Sequence, residues 1–389
     1  MKTIIRAPLL SVSGYGVHSR QVYSFLEESK SFDLCSQVVN WGNTSWLINP
    51  DFESGQVGRI MATSNPAPEV SKLSVQVQLP DEWDPSLADI NVGVSAVIET
   101  DKCNPEWVEA CNKMDAVIVP SRHAELSLRR SGTLTCPTYV VPEWYHTQIE
   151  SSDFNETILN KEFETEFNFL IVSQITGNHP ETDRKNLFYT IKWFCETFQD
   201  DPSVGLIIKT NHGRGTRIDR GITRKLIGSL LNEVRTGQFP RVNLLHGNLN
   251  PSEIASLYKH KSTKALISLT RGEGFGLPIL EAAASNLPVI TTSWSAHTEF
   301  LALGKYVGID YNLVDVPEMK IDGRIFVNET RWANPSEIDF KKKIKKFRQK
   351  HAIPKQWAND LGVKIREEYS KNAIMKKYES VFKEIIENA

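Results

Sequence analysis

The stretch ALISLTRGEGFGLPILEAAASNLPVITT, residues 265–292, contains the pattern that decides the fold. Its apolar run ALISLT predicts a buried strand, and the glycine-rich sequence GEGFG predicts a turn directly after that strand. Pro278 stands where the first turn of a helix accepts proline, and Asn286 can end the helix in a left-handed conformation. A second strand, PVITT, follows. This order is typical of one unit of a parallel α/β sheet.

The same turn predicts a site for a phosphorylated, hydroxyl-rich ligand. A helix start offers backbone N–H groups and a positive dipole end, and Gly274 and Gly276 let the backbone approach a ligand closely. Glu273 and Glu281 would repel phosphate, but their carboxylates can accept hydrogen bonds from sugar hydroxyls. We therefore expect a nucleoside diphosphate sugar, with Glu281 at the ribose and Glu273 at the other end. The alternative is that both glutamates are solvated charges.

The rest of the chain repeats this alternation of apolar strands and amphipathic helices, which predicts an α/β protein. In the first half, helices are predicted over residues 16–30, 105–114 and 121–131. Gly132 is expected to end the last of them in a left-handed conformation. Residues 143–166 are polar and without period, which predicts a linker. A second series follows, with a helix start at Asn250-Pro251-Ser252-Glu253.

The composition excludes several classes of protein. The 389 residues, 40% hydrophobic and 24% charged, are typical of a soluble chain with room for two domains. The formal net charge of −2 gives no overall attraction to nucleic acid. The cysteines and histidines form no pattern typical of a metal site, and no apolar run approaches the ~20 residues that span a bilayer. We expect a cytoplasmic protein without a metal.

The sequence EGFGLPILEAAASNLPVITT closely resembles the donor-site signature of retaining GT-B glycosyltransferases, specifically family four. The resemblance extends to NLLHGNLNPSEIASLYKHKSTKALISLT before it, to SWSAHTEFL after it, and to TDRKNL and IETDKCNPEWVEACNKMDAVIVPS. It covers nearly the whole chain and is strongest over residues 242–301. It implies two Rossmann-like domains facing a cleft, with a C-terminal helix crossing back to the N-terminal domain.

The resemblance also implies that one domain binds the acceptor and the other binds the donor. Residues 1–150 would form a Rossmann-like acceptor domain, residues 165–353 a Rossmann-like donor domain, and residues 354–389 helices that pack back on the first. The implied activity is metal-independent, retaining transfer of a hexose from a nucleoside diphosphate sugar to a hydroxyl of a glycan or glycolipid. GDP-mannose or a UDP-hexose is the expected donor. The donor is a substrate, so no cofactor is implied.

Individual donor-site residues follow from the same resemblance. The turn contributes Gly274, Phe275, Gly276 and Leu277. Lys185 matches the family lysine that neutralises the donor diphosphate, and Arg184 beside it can share that task. Many members have an arginine after the first strand of the second domain, where this chain has Gln174. Arg184 or Lys209 would then supply the missing charge. For Lys185, the alternative is a solvated helix residue.

Residues 13–19, SGYGVHS, form an incomplete GxGxxG pattern at the start of the first helix. The resemblance implies that Gly14 and Gly16 lie near the donor phosphate. An NAD-dependent dehydrogenase is the alternative use of this pattern. Glu99 is expected at a strand end, where other branches of the family carry a histidine that touches the transferred sugar. In a catalytic role, Glu99 or Asp101 there could bind sugar or acceptor hydroxyls or accept a proton, and the alternative is a carboxylate facing water.

Two further questions stay open at the level of sequence. Residues 340–350, FKKKIKKFRQK, predict a basic amphipathic helix, either a solvated face or a contact with anionic lipid beside a membrane-anchored acceptor. The expected partners are a nucleotide-sugar donor and a glycan or glycolipid acceptor, but no nucleic acid. Besides a glycosyltransferase, the patterns are compatible with an epimerase or a phosphorylase of the same fold. A non-catalytic protein that only senses nucleotide sugars is a further alternative.

Overall fold

In the computed structural model, the described residues are 1–64, 71–150, 163–177 and 179–389, and they divide between two compact units. Unit 1 contains Met1–Trp144, Asp322–Thr330 and Lys371–Ala389. Unit 2 contains Tyr145–Ile321 and Arg331–Ser370. Of the predicted linker, residues 151–162 lie outside the described residues. The chain therefore contributes three separate segments to unit 1.

Unit 1 is built on a parallel sheet of six strands in the order β2-β1-β3-β4-β5-β6. The strands are β1 (Lys2–Ala7), β2 (Asp33–Val38), β3 (Leu73–Val77), β4 (Ile90–Val94), β5 (Ala116–Val119) and β6 (Thr138–Val140). The first helices are α1 (Gly14–Glu28), α2 (Phe52–Thr63), α3 (Pro105–Cys111) and α4 (Arg122–Ser131). Strands β3 and β5 are buried along their whole length, and β5 is accordingly a continuous apolar run, whereas β3 also buries the polar residues Ser74 and Gln76.

Unit 2 is also built on a parallel sheet of six strands, in the order β12-β11-β10-β7-β8-β9. The strands are β7 (Phe167–Val172), β8 (Val204–Thr210), β9 (Arg241–His246), β10 (Thr263–Ser268), β11 (Val289–Thr292) and β12 (Val307–Ile309). The helices are α5 (Leu187–Thr197), α6 (Arg217–Val234), α7 (Pro251–Lys259), α8 (Leu277–Ala284) and α9 (His297–Leu301). An antiparallel pair, β13 (Tyr311–Asp315) and β14 (Arg331–Pro335), completes the strands.

The strand order reverses between β7 and β10 in unit 2, and between β1 and β3 in unit 1. At such a point, the loops that follow the two neighbouring strands leave the same edge of the sheet and run to opposite faces. A crevice between the two loops results, and it is the preferred ligand position in parallel α/β folds. The reversal in unit 2 therefore brings the stretch after β10, GEGFG, beside the loop after β7.

The basic segment predicted at residues 340–350 lies in α10 (Glu337–Lys350). Phe340, Ile344 and Phe347 are buried in the apolar core of unit 2. Lys341 pairs with Glu196 of α5 at 2.5 Å. The amphipathic pattern is accounted for by this packing, because the apolar face of the helix lies in the core.

The predicted helical tail consists of two helices that belong to different units. Helix α11 (Ala352–Glu368) belongs to unit 2, whereas α12 (Lys371–Asn388) belongs to unit 1. Phe25 of α1 packs on Tyr378 and Phe382 of α12, with ring centroids 5.3 and 5.0 Å apart. This aromatic cluster joins the last helix to the first one within unit 1.

Several local predictions are confirmed and others are wrong. Asn286 has the left-handed φ of 57° after α8, and Asn250 forms the expected capping box at the start of α7. Gly132 ends α4 with a φ of 178°, which is extended backbone rather than the left-handed conformation. Glu99 does not end a strand, because β4 stops at Val94 and Glu99 lies in the following loop. Helix α2 has no counterpart among the predicted elements.

Candidate functional site

The glycine turn places the start of α8 at the carboxyl edge of the sheet in unit 2. Gly276 caps this helix with a φ of +102°, a conformation that residues with a side chain rarely adopt. A Cβ there would lie 3.1 Å from Cβ of His297. Both constraints explain why glycine stands at this position. The helix presents its positive dipole end at the turn, which favours an anionic ligand.

Lys185 and Glu273 form an ion pair at the same edge. The Lys185 ammonium lies 2.6 Å from Oε1 and 2.7 Å from Oε2 of Glu273. Nη1 of Arg184 lies 3.9 Å from Oε2 of the same carboxylate. The side chains of Lys185 and Glu273 are only 19% and 9% exposed, so neither is the solvated charge of the alternative interpretation.

The charge state of Glu273 is fixed by its surroundings. Burial alone would raise the pKa of its carboxyl group, but the charges of Lys185 and Arg184 outweigh burial and lower the pKa. Glu273 is therefore an ionised, hydrogen-bond-accepting carboxylate at neutral pH. This form can accept hydrogen bonds from the hydroxyls of a sugar.

Backbone and side-chain hydrogen bonds hold the two loops together. The Arg271 amide donates to the carbonyl of Arg184 at 2.8 Å, and Nη1 of Arg184 donates to the carbonyl of Gly272 at 3.2 Å. The Glu273 amide donates to Oγ of Ser295 at 2.9 Å. The loop after β7 and the loop after β10 thus have a fixed relative position, and the ion pair is built on that arrangement.

Arg271 is a site residue that the sequence analysis did not identify. Its side chain is 2% exposed, Nη1 donates to Oδ1 of Asn334 at 2.8 Å, and the guanidinium lies 5.4 Å from the ring centre of Trp332. Burial lowers the pKa of Arg271, and the charge of Glu181 opposes that effect. Arg271 links the glycine turn to β14. The only feature of the sequence that could have indicated this role is the position of Arg271, between an apolar strand and a glycine turn.

Asp183 is a second residue of this kind. Its Oδ1 accepts from the hydroxyl of Thr176 at 2.7 Å, and its Oδ2 accepts from the amide of Leu187 at 2.7 Å. Asp183 is fully buried. It fixes both ends of the segment that carries Arg184 and Lys185, so the two cations are presented from a shaped loop.

Glu281 lies in the second turn of α8 and is partly buried. Its Oε2 accepts a hydrogen bond from the hydroxyl of Tyr258 at 3.2 Å, and the backbone of His146 also hydrogen-bonds to the carboxylate. Burial raises the pKa of Glu281 to about 7, although both hydrogen bonds act to lower it. Glu281 therefore changes its charge near neutral pH. Tyr258 was not recognised in the sequence, since its partner lies 23 residues away on another helix.

The predicted turn residues divide into two groups. Gly274 and Gly276 belong to the turn itself, whereas Phe275 is 5% exposed and packs on Phe300, with ring centroids 5.6 Å apart. Leu277 is partly buried against the same core. The structure therefore places the side chain of Phe275 in the core, and only its backbone can face a ligand at the turn.

Lys209 lies at the end of β8 and is not part of the Lys185–Glu273 cluster. Burial lowers its pKa to about 8, while the charge of Glu253 acts in the opposite direction. Within the described ranges, the Lys209 ammonium has no hydrogen bond or ion pair. Arg184, in contrast, lies beside the paired carboxylate, and Gln174 is exposed. Arg184 is therefore the better placed of the two cations to supply the charge that Gln174 lacks.

The predicted site residues of the N-terminal half belong to unit 1. A Cβ at Gly16 would lie 2.0 Å from the carbonyl oxygen of Ser11, so glycine is required there by packing. A Cβ at Gly14 would meet nothing within 4 Å. Glu99 is partly buried in the loop after β4. The requirement at Gly16 is structural, and Gly14 stays open to a ligand.

The described residues contain neither a metal-binding cluster nor a membrane-spanning helix. Over residues 1–64, 71–150, 163–177 and 179–389, no group of three or more histidine, cysteine, aspartate or glutamate side chains has the geometry to hold a metal ion. In the same residues, no helix combines the length and apolar character that a bilayer span requires.

A family comparison matches part of the chain. Residues 241–317 match the family model described as glycosyl transferases group 1. This segment runs from β9 to just past β13 and includes the glycine turn, Glu273 and Glu281. No curated protein sequence matches the chain significantly.

Solved structures share the fold over most or all of the chain. Sucrose-phosphate synthase from Thermosynechococcus elongatus matches with a TM-score of 0.66 and 14% identity, covering 100% of both chains. HepE from Anabaena, solved with UDP and glucose, matches with a TM-score of 0.62 and 12% identity over 99% of this chain and 100% of that one.

A third similar structure belongs to a longer protein. A variant of TarM from S. aureus, solved with fondaparinux, alpha-GlcNAc-glycerol and UDP, gives a TM-score of 0.54 and 16% identity over 80% of this chain. The present chain spans 55% of that protein's length. Together these structures establish the GT-B fold of two Rossmann-like domains, which confirms that part of the predicted fold, whereas the crossing of the C-terminal helix stays a prediction.

Proposed function

We propose that this protein is a retaining glycosyltransferase that moves a hexose from a nucleoside diphosphate sugar to a hydroxyl of a glycan or glycolipid. One observation carries the proposal. The strand reversal in unit 2 unites a helix N-terminus, the cations Lys185 and Arg184, and the carboxylate of Glu273, with Glu281 farther along the same helix. Cations and the helix end suit a diphosphate, and the carboxylates suit hydroxyls on either side of it.

In the proposed site, Lys185 and Glu273 separate and each binds the donor when the donor enters. A donor diphosphate competes with Glu273 for the Lys185 ammonium. Once Lys185 binds phosphate oxygens, the Glu273 carboxylate can accept hydrogen bonds from hydroxyls of the transferred sugar. Glu281 accepts from the ribose hydroxyls, and in doing so it exchanges the hydrogen bond from Tyr258 for hydrogen bonds from the ligand.

In the proposed reaction, the acceptor oxygen bonds to the anomeric carbon while the bond from that carbon to the diphosphate oxygen breaks, and the proton of the acceptor hydroxyl passes to the leaving diphosphate oxygen. Negative charge develops on the leaving diphosphate, where the start of α8, Lys185 and Arg184 would stabilise it electrostatically. The attack occurs on the face that the diphosphate leaves, so the anomeric configuration is retained. The acceptor itself is the nucleophile, and metal is not required. Glu99 of unit 1 is assigned to hydroxyls of the sugar or the acceptor.

The proposed donor is a UDP-hexose or GDP-mannose, and the proposed location is the cytoplasm. HepE and the TarM variant were solved with UDP, which supports testing UDP-hexoses first and GDP-mannose beside them. A cytoplasmic location fits the use of nucleotide sugars. A membrane contact through residues 340–350 has no support in this geometry, because Phe340, Ile344 and Phe347 are buried in the core.

The test is a panel of UDP- and GDP-sugars with glycan and glycolipid acceptors, with nucleotide release and product formation both measured. Transfer from one donor with retained configuration, determined by NMR, is the expected result. A product of inverted configuration would contradict the mechanism. Nucleotide binding without transfer to any acceptor would favour a sensor, and conversion of the donor sugar without transfer would favour an epimerase.

A further inference from the structure

Two aromatic rings stack at the carboxyl edge of the sheet in unit 1. The ring centroids of Tyr15 and Trp41 lie 4.1 Å apart, with 25° between the ring planes. Tyr15 belongs to the first turn of α1, and Trp41 follows β2. Both residues keep part of their surface exposed. The pair therefore presents an aromatic surface at the edge where parallel sheets bind their ligands.

Tyr15 is fixed in place through its hydroxyl. The hydroxyl lies 2.9 Å from Oγ of Ser95 and accepts a hydrogen bond from the amide of Ala96 at 3.1 Å. The next residue, Val97, has a φ of +57°, which is a strained conformation for a β-branched residue. Strain of this kind persists where the surrounding structure enforces it, often at functional sites. The hydroxyl of Tyr15 therefore helps to hold the loop that contains Ala96 and Val97 in its strained conformation.

The loop that carries Trp41 is fixed as well. The carbonyl of Trp41 accepts a hydrogen bond from the hydroxyl of Thr44 at 2.9 Å, and that hydroxyl also lies 2.8 Å from Oγ of Ser11. The amide of Val12 donates to the carbonyl of Ser45 at 2.9 Å. The Trp41 loop is thus hydrogen-bonded to the segment that precedes α1. A ring held in advance loses little entropy when a ligand stacks on it.

The charges around the aromatic pair favour a neutral, hydroxyl-rich ligand. Burial raises the pKa of Tyr15, the hydrogen bonds with Ser95 and Ala96 lower it, and the negative charges of Glu99 and Glu82 raise it. Glu82 is engaged by Arg324, whose Nη2 lies 2.8 Å from its Oε1. Carboxylates accept hydrogen bonds from hydroxyls and repel phosphates. Because Glu82 is paired with Arg324, Glu99 is the carboxylate near Tyr15 that we assign to sugar hydroxyls.

We propose that Trp41, backed by Tyr15, is the stacking platform for a pyranose ring of the acceptor, and that Glu99 accepts hydrogen bonds from the hydroxyls of that ring. The apolar C–H face of the sugar packs on the indole, as other apolar surfaces do on large aromatic side chains. This inference rests on the proposed transferase function, and it locates the acceptor sugar in unit 1.

The test measures sugar binding to the full chain directly. Saturation-transfer NMR is recorded with maltose, cellobiose and mannobiose, and the ring C–H protons of at least one disaccharide are expected to receive saturation. Trp41→Ala should weaken that binding by about 10-fold or more, as for an anchor residue of an interface. Trp41→Leu keeps the apolar bulk that the fold needs, but its sugar binding should also be weakened. Trp41→Phe should retain most of the sugar binding.

The matched control is Trp357→Ala, a partly buried tryptophan of α11 in unit 2 whose ring faces Lys305, and its sugar binding should equal that of the unchanged protein. Binding of UDP and GDP, measured by calorimetry, should be the same with and without Trp41. The proposal that Trp41 is a sugar platform would be overturned by any of three results. These are no saturation of any disaccharide, sugar binding by the Trp41 variants equal to that of the unchanged protein, and weaker nucleotide binding in Trp41→Ala. If sugar binding follows this pattern but no donor is turned over, the transferase proposal fails instead.

Discussion

Lys185 and Glu273 are 88 residues apart in the chain, yet the Lys185 ammonium lies 2.6 and 2.7 Å from the two carboxylate oxygens. The two residues come from the loops after β7 and β10, which become neighbours because the strand order reverses between those strands. The positive charge available to a diphosphate is thus already engaged by a carboxylate. Binding and catalysis in the proposed function both depend on how this pair separates.

Replacing Lys185 should weaken binding of a nucleoside diphosphate. Lys185→Ala removes charge-assisted hydrogen bonds to the phosphate oxygens and leaves Glu273 facing the ligand with only Arg184 nearby. The expected loss in affinity is about 10- to 100-fold, at ~1.4 kcal/mol for each factor of ten. Calorimetry with UDP and GDP measures it. Lys192→Ala, at a half-exposed lysine on the helix that follows, is the matched control and should bind like the unchanged protein.

The two glutamates of the stretch should differ in what they affect. Glu281→Gln should weaken binding of the free nucleoside diphosphate by about 10- to 100-fold, because it removes charge-assisted hydrogen bonds to ribose. Glu273→Gln should leave that binding intact or strengthen it, since Lys185 is released, while turnover and discrimination between donor sugars fall. Calorimetry and steady-state kinetics separate the two effects. Equal weakening by both substitutions would show that the assigned ends of the donor are wrong.

Nucleotide affinity should depend on pH through Glu281. The ribose hydroxyls donate to the ionised carboxylate, and burial has raised its pKa to about 7. Affinity should therefore rise with pH, by about tenfold between pH 6 and pH 8, as the ionised fraction increases. Titration calorimetry over this range measures the effect.

The phosphate groups of the ligand titrate in part of the same range, so a variant is needed as the reference. Glu281→Gln cannot ionise and should show only the ligand's own pH dependence. If the affinities of Glu281→Gln and of the unchanged protein depend on pH in the same way, Glu281 is not the titrating group.

The glycine turn should tolerate no side chain at Gly276. Gly276→Ala forces a φ of +102° on alanine and places its Cβ 3.1 Å from Cβ of His297, so we expect a loss of stability of about 1–3 kcal/mol. The midpoint of thermal unfolding measures it. Gly228→Ala, in the interior of α6 with no atom within 4 Å of the added Cβ, should instead stabilise by about 0.5–1 kcal/mol.

Activity should survive a strong chelator. In the proposed site, Lys185, Arg184 and the start of α8 neutralise the leaving diphosphate, so a divalent cation has no task there. Transfer rates are measured before and after dialysis against EDTA. Lost activity that returns with magnesium or manganese would contradict metal independence.

The sequence predicted those parts of the candidate site whose residues stand in local patterns. The glycine turn, Glu281 and Lys185 stand in short motifs, and the strands around them are continuous apolar runs. Arg271 and Tyr258 were not identified, because their partners come from β14 and from α8. The core position of Phe275 was also hidden, since a motif does not reveal which way a side chain points once other elements pack around it.

The sequence by itself determined the alternation of strands and helices, the helix start at Pro278 and the residue types of the glycine turn. These features depend on neighbours within a few positions along the chain, where backbone preferences and apolar periodicity act directly. Only the tertiary structure decided that Glu273 is paired with Lys185, that the carboxyl group of Glu281 titrates near neutral pH, and that Trp41 stacks on Tyr15. Each of these properties arises from burial and charge supplied by distant segments, which become neighbours only when the sheets form.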